Sequence, residues 1–404
     1  MHQRALSETK KGPSPWRLTF SALCASLVGI GLARFAYTPL IPALVAEQWF
    51  QPSEIAYLGA ANLAGYIAGA LLARRLAEIL SMPTTLRAMM LLAGAAFFAC
   101  AWPFTFLWFF LWRFSSGLAG GALMVLAAPF VLPYVPPARR GLAGGVIFMG
   151  VGLGIAASGT LVPLLLRQGL SAAWCGLGAL AFVLTAITWT GWPRDTISES
   201  RPINPETGPK RRTRWQLATL YVEYGLNAAG LVPHMVFLVD FIARGLQQGL
   251  QTGALYWILF GLGAMCGPLL TGSLGDRIGF RRALRAAFLV QALFVALPAF
   301  IGAGPWLMMS SFVIGAFTPG IVPLVLGRVR EIIPYQAKMQ QMAWSRATLA
   351  FALCQAAAAY GFSYIFARTE GAYPLLFAMA ATALVLALAV DLGTGVFGRA
   401  KSGH

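Results

Sequence analysis

Charge is scarce in this chain, and acid is scarcer than base. Only 11% of the 404 residues are Asp, Glu, Lys or Arg, with 13 acidic against 30 basic side chains. Hydrophobic residues make up 58%. That exceeds what a soluble core needs. Histidine occurs three times, as His2, His234 and His404, two of them at the chain ends. A His-based catalytic relay or a His/Cys zinc site therefore has little to build on. No G-x-x-x-x-G-K-[ST] phosphate loop is present, so any ATP-driven process would need another subunit. The five cysteines, Cys24, Cys100, Cys175, Cys266 and Cys354, all fall in apolar stretches and are expected as small buried residues without disulfides. The expectation is a protein that is not an enzyme and takes no metal or cofactor.

What the chain has in abundance is long apolar runs. They cover residues 18–46, 55–72, 84–102, 106–131, 141–166 and 172–192, then resume over 217–242, 254–273, 283–301, 306–326, 342–366 and 374–390. Mean hydropathy is +0.70. Runs of this length span a bilayer as helices, which satisfy their own backbone hydrogen bonds. An all-α polytopic membrane protein with twelve transmembrane helices is expected. The net charge of +17 would suggest nucleic acid in a soluble protein. Here the basic residues are divided among alternate short loops, leaving only Arg167, Arg244 and Arg368 on the other side. That is a positive-inside pattern with both termini cytoplasmic, and it excludes a nucleic-acid role. The basic N-terminus before the first run is read as the flank of an uncleaved span, since the run is too long for a signal peptide.

One segment differs in kind. Residues 193–214, PRDTISESRPINPETGPKRRTR, are polar and proline-rich, and divide the chain into an N-terminal six-helix half (1–192) and a C-terminal six-helix half (215–404). The halves repeat. GYIAGALLARRLAE (65–78) aligns with GAMCGPLLTGSLGD (263–276) at an offset of 198, pairing Gly65 with Gly263, Gly69 with Gly267 and Glu78 with Asp276. The same offset pairs Gly117 with Gly315. At a slightly smaller one, GLARFAYTP (31–39) pairs with GLNAAGLVP (225–233).

The sharpest motif is GSLGDRIGFRR, residues 272–282. Gly272 and Gly275 permit close helix packing, Gly279 suits a tight turn, Asp276 can accept from an arginine or a helix N-terminus, and Arg277, Arg281 and Arg282 lie at the interface. It resembles the signature loop of the major facilitator superfamily, G-x-L-[AG]-D-R-x-G-R-[RK]. RFSSGLAGG (113–121) is similar to that superfamily's fourth-helix R-x-x-x-G-x-x-G pattern. GIGLARFAYTPLIPAL in the first run and GVGLGIAASGTLVP (150–163) in the fifth resemble its YbfB/YjiJ-like branch. The resemblance implies the major facilitator fold, a bacterial inner-membrane location, a site between the halves, and a cytoplasmic gate at residues 272–282. ARRLAEIL (73–80), the first-half counterpart, keeps only Glu78 and basic neighbours.

Polar residues inside the runs are the candidate site. Arg34 lies about 25 Å beyond Arg17 along a helix, and Arg113 sits near the outer end of an oppositely directed one. Two readings stay open. The arginines hold an anionic substrate, with Tyr37 and Thr38 on the face of Arg34, or they bond helix carbonyls and brace neighbouring helices. Glu223, Asn227, Gly230 and His234 form one stripe at i, i+4, i+7 and i+11. Glu223 could load and release a proton, or pair with Arg346 at similar depth. Asn227 and His234 either contact substrate or are satisfied within the core, and Gln355 contacts substrate or a neighbouring helix. The leading expectation is a monomeric secondary transporter in the lipid bilayer, moving a small organic anion such as a carboxylate by alternating access with proton coupling. Efflux of drug-like or sugar-like compounds, and a non-transporting sensor with a transporter fold, are the alternatives.

Overall fold

The computed structural model describes residues 14–193, 211–334 and 336–400. Most of the expected linker, residues 194–210, lies outside the described residues, as do the N-terminal basic residues Arg4, Lys10 and Lys11. Twelve long helices follow one another: α1 Pro15–Ala46, α2 Pro52–Leu80, α3 Met82–Ala99, α4 Phe106–Val131, α5 Arg140–Leu166, α6 Leu170–Thr188, α7 Arg211–Gly245, α8 Gly249–Ile278, α9 Phe280–Phe300, α10 Pro305–Ile332, α11 Ala337–Arg368 and α12 Tyr373–Ala400. Each apolar run overlaps one of them, although the runs 84–102 and 172–192 continue past the ends of α3 and α6. Among the described residues, eleven helices are long and apolar enough to cross a membrane. Several outrun their apolar stretch. α2 continues through Arg74, Arg75 and Glu78 to Leu80, because nothing between Gly69 and Ser81 breaks a helix.

Local chemistry sets the starts. Pro52 opens α2, where its missing N–H is no loss, and the Glu54 carboxylate accepts from the Gln51 N–H at 2.8 Å. Thr105 Oγ1 accepts from the Trp108 N–H to cap α4, and Pro305 opens α10. Gly279, at φ +84°, turns the chain between α8 and α9.

The two six-helix halves are built on one repeated contact. A Cβ added to Gly65 would lie 1.9 Å from the Phe114 carbonyl oxygen, and one added to Gly263 would lie 1.9 Å from that of Phe312. Gly69 meets Leu118 at 2.0 Å as Gly267 meets Ala316 at 1.9 Å, and Gly117 meets Asn62 at 1.9 Å as Gly315 meets Phe260 at 2.0 Å. All six pairs obey the offset of 198. The α2/α4 crossing thus recurs as α8/α10, with backbone on backbone, which only a residue without a side chain allows. Across the halves, α5 and α8 approach as closely. A Cβ on Gly141 would be 2.3 Å from the Gly272 carbonyl oxygen, and one on Gly152 would be 2.1 Å from that of Ala264.

Tryptophans at the ends of spans behave as interfacial anchors at Trp16, Trp102, Trp215 and Trp306, all well exposed, whereas Trp192 is buried. Cys24 and Cys100 are buried as expected, but Cys266 and Cys354 are exposed, since each faces outward from its helix.

Gly65→Ala and Gly263→Ala should each lower stability by about 2 kcal/mol, because the added carbon must push a helix backbone aside. Gly159→Ala, whose Cβ would meet nothing within 4 Å, should stay within about 0.5 kcal/mol of the parent. Thermal melting of the purified protein in detergent checks the contrast.

Candidate functional site

The two arginines of the first half have different fates. α1 is distorted just before Arg34, with a π-helical segment over Leu27–Leu32. There Gly31 packs against Gly154 and Val151 of α5, and Gly29 against Gly120 of α4. Beyond it, the Ala33 carbonyl accepts from Arg113 Nη1 at 3.1 Å, with Asn62 Nδ2 and Ser116 Oγ each at 3.5 Å. Asn62 Nδ2 also donates to the Arg113 carbonyl at 3.2 Å. Arg113 is 2% exposed, with its guanidinium 4.2 Å above the Tyr37 ring. Of the two readings of Arg113, the geometry is that of the brace: it ties α4 to the distorted turn of α1. Tyr37 is committed to the same cluster. It is buried, its hydroxyl donates to the Ile55 carbonyl at 2.9 Å, and it does not share the face of Arg34. Thr38 is exposed.

Arg34 points the other way. Its Nη2 donates to Gln355 Oε1 in α11 at 2.6 Å, and the guanidinium lies 5.8 Å from the Tyr66 ring and 5.6 Å from that of Phe35. Among the described residues no carboxylate pairs with it. Gln355 also donates through Nε2 to Met235 Sδ at 3.3 Å, so α1, α7 and α11 meet at one polar junction across the halves. Arg34 stands about 28 Å from the start of α1 and Gln355 about 27 Å from that of α11, so both lie deep in the bundle.

The α7 stripe is buried and faces its own half. Asn227 Nδ2 donates to Gln291 Oε1 at 2.8 Å, and Gln291 Nε2 to the Ala287 carbonyl at 3.1 Å. His234 Nε2 lies 2.9 Å from Ser310 Oγ, whose hydroxyl donates to the Phe294 carbonyl at 2.6 Å. With that proton spent, Ser310 accepts, so Nε2 carries the histidine proton. Asn227 and His234 each bond one helix neighbour through a single nitrogen, while Asn227 Oδ1 and His234 Nδ1 are buried without a hydrogen-bond partner among the described residues. Glu223 is 3% exposed, and its Oε1 has no hydrogen-bond partner. The pairing with Arg346 does not form. Arg346 lies exposed in a cleft with Arg74, Arg75 and Glu78, while the charges acting on Glu223 are Asp391, Arg328, Arg281 and Arg285. A similar depth along two helices did not bring the side chains onto facing sides.

The gate motif forms a latch. Asp276 accepts from the Gly141 and Leu142 N–H groups at 2.8 Å each, placing a carboxylate on the free N-terminus of α5 in the other half. Gly272 admits the Gly141 backbone, and Gly275 faces the Phe280 ring. Arg281 bonds Asp391 through Nε to Oδ1 at 3.2 Å, and Arg285 bonds Asp391 Oδ2, tying α9 to α12. Arg277 and Arg282 are exposed. Glu331 accepts from the Phe280 N–H at 2.8 Å and pairs with Arg328 at 2.9 Å, capping α9. Two more bonds cross the halves on the same side: Trp344 Nε1 to the Met124 carbonyl at 3.0 Å, and Ser345 Oγ to the Ala70 carbonyl at 3.1 Å.

Sequence reasoning missed Asn62, Gln291, Ser310 and Asp391. Asn62 and Gln291 are amides inside apolar runs and could have been flagged as Gln355 was. Asp391 stands one residue beyond the last run, and no spacing linked it to Arg281. Among the described residues, no group of three His, Cys, Asp or Glu side chains is placed to hold a metal ion.

Among the described residues, twelve helices in two repeated halves, a carboxylate latch in the last turn of α8, and a polar junction between the halves define a major facilitator fold. The chain belongs to the family described as uncharacterised MFS-type transporter YbfB, whose model matches residues 26–392. It is 28% identical over 200 residues to the uncharacterized MFS-type transporter Rv2994 of Mycobacterium tuberculosis strain H37Rv, a match that covers 47% of this chain and spans 43% of that relative's length. It is 24% identical over 319 residues to the uncharacterized MFS-type transporter YceJ of Bacillus subtilis, covering 76% of this chain and 79% of that one. The fold matches that of the proton:xylose symporter XylE bound to 6-bromo-6-deoxy-D-glucose, with a TM-score of 0.75 at 16% identity over 93% of this chain and 94% of that one.

Arg113→Gln should destabilise the protein by about 2 to 3 kcal/mol, since it removes a charged hydrogen bond from a buried carbonyl. Arg34→Gln, whose loss leaves only Gln355 short of a donor, should cost about 1 kcal/mol. Equal melting temperatures for the two variants would contradict this division of roles.

Proposed function

We propose that the protein is a secondary transporter that moves a small organic anion, a carboxylate among the candidates, by alternating access between the halves 1–192 and 215–404. One observation carries the reading. Arg34 is a permanent cation deep in the bundle, held by an amide oxygen and two aromatic rings and, among the described residues, by no carboxylate. A charge in that position is expensive unless an anion joins it, and the substrate is that anion. In this scheme Gln355 and the exposed Thr38 offer further polar contacts to the anion, and the Tyr66 ring, 5.8 Å from the guanidinium, stands beside it. Arg113 and Tyr37 hold the turn of α1 that carries Arg34, and Asn227 and His234 hold α7 against Gln291 and Ser310. Asp276 on the α5 N-terminus holds the basic end closed. That end is the cytoplasmic one on the positive-inside pattern, in a bacterial inner membrane with both chain ends in the cytoplasm.

Glu223 carries the proton in this scheme. It is the buried carboxylate of α7 with a free oxygen, near the Asp391 cluster that ties α9 to α12. Proton loading there would alter the packing of α7 against that cluster, and so couple a pH gradient to movement of the second half.

Reconstituted vesicles with labelled organic anions test both assignments. Arg34→Gln should reduce accumulation at least about tenfold, the value of one charged hydrogen bond, with the protein still folded. Undiminished anion flux in that variant removes the anion reading. Glu223→Gln should abolish accumulation driven by a pH gradient while leaving counterflow exchange at equal pH; gradient-driven accumulation that survives this change rules Glu223 out as the carrier.

A further inference from the structure

Asp276 has a counterpart in the repeat that does not do its work. At the offset of 198 its partner is Glu78, at the same end of α2. Asp276 reaches across to the N-terminus of α5. Glu78 stays exposed on its own helix, 3.7 Å from Arg74, and among the described residues no carboxylate accepts from the first turn of α11. The two inter-half seams therefore close differently at this end. α5 and α8 touch backbone to backbone at Gly141 and Gly272, whereas α2 and α11 leave a cleft of about 310 Å³.

Three arginines line that cleft, Arg74 and Arg75 from α2 and Arg346 from α11, against the single acid Glu78. Neither Arg75 nor Arg346 takes part in an ion pair among the described residues. The wall between them is apolar, with Leu71 and Leu349, and Leu71 is 56% exposed. Ser345 bonds the Ala70 carbonyl at the inner edge, so the cleft is open on one side and pinned on the other. Like charges facing each other across a seam repel it apart unless an anion sits between them. Arginine forks from two helices suit a phosphate group in particular.

We propose that the cleft between α2 and α11 binds a phosphate-bearing anion, the headgroup of an anionic lipid or a soluble phosphate, which bridges the halves where the repeat lacks its own acidic latch. The anion draws Arg75 and Arg346 together and stabilises the conformation closed at this end. The Asp276 latch is built into the chain; its partner is borrowed from the surroundings.

The full-length protein in nanodiscs, or in detergent, gives the test. Phosphatidylglycerol should raise the melting temperature relative to phosphatidylcholine, or inorganic phosphate should raise it relative to chloride at equal ionic strength. The first result identifies a lipid as the source and the second a soluble anion. Arg75→Gln with Arg346→Gln should weaken the apparent affinity about tenfold or more, and Arg139→Gln, an exposed arginine of the same face outside the cleft, should not. Glu78→Gln removes the competing acid and should tighten binding severalfold, which keeps the test open even if the double variant folds poorly. No stabilisation by either anion, equal stabilisation of the double variant, or weaker binding in Glu78→Gln would each overturn the proposal. Because none of these readouts involves flux or Arg34, their failure leaves the transport reading untouched.

Discussion

Close approach of helix backbones is the constraint on which this structure rests. In a bilayer, helices gain little from hiding apolar side chains from one another, since lipid is as apolar as they are. Association depends on contact area and on polar atoms meeting. The Gly65, Gly69 and Gly117 contacts, with their copies at Gly263, Gly267 and Gly315, supply that contact at its shortest range. The same device at Gly31 and Gly154 brings α1 against α5, and at Gly141 and Gly272 it brings one half against the other. Two polar assemblies are hung on these crossings. Arg113 can reach the Ala33 carbonyl because α1, α2 and α4 are drawn together around it, and Asp276 can reach α5 because Gly272 lets the helix in.

Much of the architecture was legible because it is written in spacing. The twelve apolar runs, the offset of 198 and the GSLGDRIGFRR loop each have a period or a pattern, and the structure places each on its own element. The candidate site was legible in residue type and less so in partner. Arg34, Gln355 and Glu223 were picked out as polar residues in apolar runs. That Arg34 and Gln355 touch could not be read, because 321 positions separate them and only the packing of the two halves sets their meeting. Depth along a helix is recoverable from a rise of 1.5 Å per residue, but the direction in which a side chain points is not, once a helix departs from regular geometry. The π segment before Arg34 rotates the residues after it. Tyr37 faces inward, under the Arg113 guanidinium, and separately the pairing of Glu223 with Arg346, argued from depth alone, does not occur.

The repeat also shows where symmetry has been given up. Three glycines of the α2/α4 crossing and the carbonyls they meet are kept in both halves, whereas side chains that project into the seams are not. Arg34 aligns with Ala228, Asn62 with Phe260, and Glu78 occupies the place of Asp276 without its contact. A scaffold fixed by backbone contacts tolerates that divergence, since exchanging a side chain in a seam leaves the crossings intact.

The hydrogen bonds between the halves are unevenly distributed. Among the described residues, Asp276 contributes two, Trp344 one and Ser345 one toward the end that carries the basic loops, while Arg34 to Gln355 is the one placed deeper in the bundle. Four such bonds among the described residues thus lie at the basic end and one deeper in the bundle. Among the described residues the seam is therefore fastened chiefly along its basic edge, where all four bonds engage backbone groups of α2, α4 and α5 that a side-chain exchange in the first half would leave in place.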